Sequence, residues 1–126
     1  MMTPAAYIYS IIANNILEVP NLSLDNVYTF YIDENASFDE VLMLITETVS
    51  MGDDYGNNEV LYSNRRIQID LYYPKDYTED MTLIERDLKK LLRKNGIYCY
   101  SDAGHILTLD SERITNTLKF NFKMEE

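Results

Sequence analysis

The residues RRIQIDLYY at 65–73 alternate without a break: Ile67, Ile69, Leu71 and Tyr73 fall on one side, and Arg66, Gln68, Asp70 and Tyr72 on the other. Side chains of an extended chain point alternately to opposite faces, so this pattern predicts a strand with one face in the core and one toward water, ended by Pro74. Something apolar must cover its inner face. The nearest candidate is a helix over 79–94, where Met81, Ile84, Leu88, Leu91 and Leu92 share one face, Arg93 and Lys94 occupy the last turn, and Gly96 follows the end. A second helix over 4–17 is announced by Thr3-Pro4 and by Ala5, Ile8, Ile12 and Ile16 at helical spacing, before Pro20 stops it.

Further strands follow from β-branched and aromatic runs. VYTFYI at 27–32 is one, and short strands at 97–100 and 105–109 flank a turn at 101–104. Ile114, Asn116, Leu118, Phe120 and Phe122 alternate with Thr115, Thr117, Lys119, Asn121 and Lys123, which predicts a closing strand. Residues 38–49 read two ways. Ser37 with Glu40 forms a capping box ahead of a helical face of Phe38, Val41, Leu42, Ile45 and Val49, yet VLMLITETV is equally a continuous core strand. Residues 51–64, MGDDYGNNEVLYSN, show no apolar period and are expected to form a long loop that folds on contact with a partner.

The 126 residues suit one domain, 1–126, with no linker or repeat to divide it. The lone Cys99 cannot pair internally, no apolar run reaches the roughly 18 residues of a membrane span, and the start lacks the basic residues of a signal peptide. These features fit a cytoplasmic protein with no membrane role. Net charge is −10 and unevenly spread: residues 1–64 hold ten acids, from Glu18 to Glu59, and no Lys or Arg. Phosphate-backbone affinity depends on Lys and Arg displacing counterions, so a nucleic-acid reader is disfavoured. Eleven tyrosines without tryptophan suit half-buried sheet and contact surfaces.

Chemistry finds little purchase. His105 is the single histidine, and Cys99 or Ser101 as its nucleophilic partner fits no catalytic spacing. A histidine beside a turn reads better as a hydrogen-bonded or surface residue, and Cys99 as a small hydrophobe. Asp53, Asp54 and Glu59 sit in a glycine- and asparagine-containing stretch, but Tyr55 and Gly56 interrupt the alternation a calcium loop requires. There is no phosphate loop, nucleotide fingerprint or Cys/His cluster, so neither cofactor nor metal is expected, and the chain is read as no enzyme.

The order of an apolar LITETV segment, YGNN at 55–58, RRIQIDLYY and a helix ending KKLLRKNG resembles a family of small tail-completion proteins of long-tailed bacteriophages infecting Gram-positive hosts, which look like tail terminators. The likeness covers about residues 3–124. It implies a strand over 41–48, and an α+β fold with a mixed, largely antiparallel sheet of four to five strands and two helices packed on one face. It also implies a virion assembly protein that caps the tail tube at its head-proximal end as a ring, expected to be a hexamer, and helps join tail to head connector. The implied partners are copies of itself, the major tail-tube protein and the head connector protein, with DNA passing through the ring without specific binding. The implied place is the head-tail junction of the virion, after assembly in the host cytoplasm. The assembly interface is assigned to Tyr55, Asn57, Asn58, Val60 and Tyr62. Two other classes compete: an acidic DNA-mimic inhibitor of a DNA-binding enzyme, and a small metal-dependent enzyme built on Asp53, Asp54 and Glu59.

Overall fold

The structure, a computed structural model, describes residues 2–36, 39–48, 53–56, 59–108 and 112–125, without the side chains of 53–63 and 125. Helix α1 (Pro4–Asn14) opens where the Thr3 hydroxyl accepts from the Ala6 N–H at 3.1 Å and proline takes the first turn. It buries Ala5, Ile8, Ile11 and Ile12. Asn15 caps its end, donating from Nδ2 to the Ile11 carbonyl at 2.8 Å, and Ile16–Glu18 continues as one 3₁₀ turn. The expected helix to residue 17 is therefore shorter. The Asn15 side chain satisfies a last-turn carbonyl that further helix would have used.

Helix α2 (Met81–Lys94) begins on Asp80, whose carboxylate accepts from the Thr82 N–H at 2.9 Å; the Thr82 hydroxyl, and then this backbone bond, hold Asp80 below the usual carboxylate range. Gly96, at φ +78°, ends the helix: its N–H reaches the Arg93 carbonyl at 3.1 Å and the Ile97 N–H reaches Leu92 at 3.0 Å. This paired closure needs a left-handed residue, which glycine adopts without a Cβ clash.

Among the described residues seven strands make one sheet: β1 (Val27–Thr29), β2 (Leu42–Glu47), β3 (Asp53–Gly56), β4 (Glu59–Tyr73), β5 (Tyr98–Asp102), β6 (Ile106–Thr108) and β7 (Arg113–Glu125). The order is β1-β2-β4-β7-β5; β3 extends the lane of β2 along β4, and β6 the lane of β5 along β7. Five lanes thus hold seven strands, more than the four to five expected, because the two long central strands each accept two short partners on one side. Among the described strands only β1 and β2 run parallel, so the sheet is mixed and largely antiparallel. Residues 41–48 are resolved in favour of strand, with Ile45 opposite Ile69 and Met43 opposite Leu71.

Both helices cover one face. Ile67, Ile69, Leu71 and Tyr73 of β4, Met43 and Ile45 of β2, and Leu118 and Phe120 of β7 share a cluster with Ile8, Ile12, Leu88, Leu91 and Leu92, all essentially inaccessible to solvent. This is the α+β class expected, in its two-layer form. The Glu47 carboxylate, at the end of β2, accepts from the Ala5 N–H at 3.3 Å and fixes the positive end of α1 onto the sheet.

Two other expectations change. Residues 51–64 are not one long loop: β3 and the first part of β4 pair antiparallel there, with Asp53 opposite Ser63 and Gly56 opposite Glu59. The pairing comes from β4 continuing outward past β7, which no local apolar period announces. The strand expected over 27–32 stops at Thr29, because Phe30 takes φ +69° and turns the chain.

Candidate assembly surfaces

The residues assigned to assembly divide by position. Tyr55 lies on β3, Val60 and Tyr62 on β4, and the hairpin register sets Tyr55 opposite Val60 and Asp54 opposite Tyr62. Asn57 and Asn58 lie outside the described residues. Asp53, Asp54 and Glu59 occupy the two paired strands rather than a coordinating loop, and among the described residues no three His, Cys, Asp or Glu groups are placed to hold a metal ion. Among the same residues no helix is long and apolar enough to cross a membrane.

The most connected polar site is one the sequence did not single out. Glu85 stands inside the apolar stripe of α2 and is only 4% exposed. Its carboxylate accepts from the Tyr73 hydroxyl at 2.7 Å and from Asn116 Nδ2 at 3.0 Å, and it lies 2.7 Å from His105 Nε2. A carboxylate only accepts, so the imidazole offers an N–H at Nε2. Burial, then the bond to Glu85, raises the Tyr73 phenol far above its usual range, so this hydroxyl stays protonated as a donor. Asn116 extends the network: Nδ2 also reaches Asp102 Oδ1 at 3.0 Å, and its oxygen accepts from the Gly104 N–H at 3.0 Å. Lys89 closes it on Asp102 at 2.7 Å. Burial opposes the charge on Asp102, but the bonds from Lys89 and Asn116 prevail and hold its carboxyl low.

This arrangement pins helix α2, strands β4, β5 and β7 and the turn before β6 together. Beside it, the half-buried Cys99 thiol donates to the Ser101 carbonyl at 3.4 Å. His105 is the hydrogen-bonded residue that its place beside a turn suggested. The signal for Glu85 was present as a lone acid among Met81, Ile84 and Leu88, but its partners could not be read from spacing.

The sheet face away from the helices is polar and half-buried. Thr117 Oγ1 donates to Asp70 Oδ1 at 2.6 Å, Gln68 Nε2 reaches the other Asp70 oxygen at 3.1 Å, and the Arg66 guanidinium sits 4.9 Å from the Tyr100 ring centre. Apolar exposure is concentrated elsewhere. Of eight large apolar side chains exposed among the described residues, six belong to the two sheet edges: Phe30 and Tyr31 after β1, Tyr98 and Tyr100 on β5, and Ile106 and Leu107 on β6.

The family model for DUF806, a protein family of unknown function, matches residues 3–125. Among curated proteins none matches this sequence. Among solved structures, a chain from the virion of a native gene transfer agent particle superposes with a TM-score of 0.59 at 8% identity, over 99% of this chain and 100% of that one. At that identity the likeness establishes a shared fold.

Proposed function

Because this chain belongs to the DUF806 family over nearly its whole length, and because it is similar in fold from end to end to a component of a gene transfer agent virion, we propose that it is a structural protein of a phage-like virion. The observation that carries the reading is the coverage: the superposition spans 99% of this chain and 100% of that one. Within the particle, the chain closes the head-proximal end of the tail tube as a ring and offers its free face to the head connector. It performs no catalytic step.

The charge distribution supports this assignment. A tube that conducts DNA gains from an anionic wall, because like charge keeps the phosphate backbone from adhering during passage, and residues 1–64 supply ten acids with no compensating base. A closed ring of identical subunits requires head-to-tail contacts between two different surfaces of one subunit, and an acidic half beside a mixed-sign half supplies unlike surfaces.

Removing the gene from the genome that encodes it should leave filled heads and unjoined tails of uncontrolled length in electron micrographs, with both defects reversed by the gene in trans. Infectious particles with tails of normal length in its absence would overturn the proposal.

A further inference from the structure

The two edges of the sheet differ in charge and expose apolar side chains in isolation. The β1 edge carries Phe30, 54% exposed, and Tyr31, 75% exposed, on a three-residue turn closed by the Tyr31 N–H on the Thr29 carbonyl at 2.8 Å. Phe30 is held there at φ +69°, a region that L side chains rarely adopt. Such strain is retained where surrounding structure imposes it, and here the Phe30 N–H is tied to the Ile45 carbonyl at 2.9 Å. The chain around this turn is acidic, with Asp25 before it and Asp33 and Glu34 after it.

The opposite edge is apolar and carries Arg93. Tyr98 is 54% exposed and Ile106 59%, and the concavity between α2 and β5 is lined by Tyr98, Tyr100, Arg93 and the Lys89–Asp102 ion pair, closed at 2.7 Å. Strand directions also match. β1 runs parallel to β2, β2 and β7 are both antiparallel to β4, and β5 and β6 are antiparallel to β7, so β1 and the β5/β6 edge run in opposite senses. A second copy related by rotation about an axis along the strands would therefore bring its β1 edge antiparallel to the first copy's β5/β6 edge.

We propose that these two edges meet between copies of this chain, the Phe30–Tyr31 turn of one copy seating against Tyr98, Tyr100 and Ile106 of the next while the acids around the turn face Arg93. The occupant of each edge is thus a second copy. This rests on the ring reading above and adds to it the surfaces that make the ring. Uncovered edges are sites of uncontrolled association in a sheet protein, and head-to-tail pairing removes both at once when the ring closes.

The test uses two variants of the full chain. One is Phe30→Asn with Tyr31→Ser, since asparagine tolerates the left-handed region; the other is Tyr98→Glu with Ile106→Glu. Native mass spectrometry should find the wild type as a closed oligomer, each variant alone as a monomer, and their equimolar mixture as a heterodimer that grows no further. Each variant keeps one intact edge, and the two intact edges are complementary. A variant that still pairs with itself, a mixture that stays monomeric, or a wild type that remains monomeric on concentration would each overturn the proposal. Should a double variant fail to fold, Tyr31→Ser and Ile106→Glu alone, at the two most exposed positions of these edges, read the same outcome. The capping role fails separately: a wild-type ring assembled through these edges, with normal tails in the gene's absence, refutes capping and leaves the interface standing.

Discussion

His105 Nε2 lies 2.7 Å from Glu85 Oε2, and the two residues join the turn before β6 to the buried face of α2. The carboxylate has three partners, and Tyr73 and Asn116 would still donate to it if the imidazole were removed. His105→Ala should therefore cost about 1 kcal/mol of stability and leave particle assembly intact. Chemical denaturation of the variant and titres of complemented particles check this. Loss of assembly in a variant that folds would give His105 a role beyond its bond.

Glu85→Ala should be far more damaging. It takes the 2.7 Å acceptor from the buried Tyr73 hydroxyl, at about 1–3 kcal/mol, and one of two acceptors from the Asn116 amide, which keeps Asp102. Glu85→Gln keeps the shape and one accepting oxygen, and should recover part of the loss in the same denaturation series.

Tyr73 makes a pH prediction. Its phenol is raised well above its ordinary 10.0, first by burial and then by the Glu85 bond. A group whose folded-state pKa is raised contributes stability that is fully present below the unfolded value and is lost as pH climbs from there toward the folded value. Above pH 10 the unfolded chain releases this proton and the folded chain keeps it, so stability falls by about 1.4 kcal/mol per pH unit on this account. Tyr73→Phe should be less stable at neutral pH yet show a shallower alkaline slope, by one proton. Equal slopes in the two proteins would refute the assignment.

Leu88 packs in the same cluster as Ile67, Ile69 and Leu71, and all four are 0% exposed. Leu88→Ala should cost on the order of 2–5 kcal/mol, measured by urea unfolding, since the cavity lies between the helix and the sheet. This pairing was legible in advance, because RRIQIDLYY and the stripe of α2 each carry a period that only one structure satisfies. The strand at residues 41–48 was not: a helical face and a core strand fit VLMLITETV equally, and pairing with β4 decides for strand. The hairpin of β3 and β4 was hidden for a related reason, its ladder being completed by a partner and by no alternation of its own. The Glu85 network was least legible, since Tyr73, His105 and Asn116 stand 12, 20 and 31 residues from the acid. Likewise, nothing in VYTFYI marks Phe30 as left-handed, because every residue of that run favours an extended strand.

Gly96 isolates a backbone effect. A Cβ placed there meets no atom within 4 Å, so Gly96→Ala adds no clash and tests only the cost of φ +78°. The variant should lose about 1 kcal/mol, and Gly96→Asn less, because asparagine visits the left-handed region more readily. Thermal unfolding of the three proteins should rank them glycine, asparagine, alanine.

The hairpin carries the last prediction. The ladder between β4 and β7 runs from Tyr62 to Tyr73 and the ladder between β2 and β4 from Ile67 to Tyr72, so neither depends on residues 53–59. Among the described side chains of β4 the buried ones begin at Ile67, beyond the hairpin's pairing with β3. Deleting residues 53–59 should therefore leave the cooperative unfolding transition close to that of the wild type. The assembly role assigned to Tyr55, Val60 and Tyr62 requires something different of the particle: tails should fail to complete, because an element standing beyond β7 is placed to meet a neighbour. Replacing Tyr55 and Tyr62 with serine should weaken tail completion without changing the length of the chain. A deletion that unfolds the protein would make the hairpin part of the fold's foundation, and infectious particles from a folded deletion variant would move the contact elsewhere.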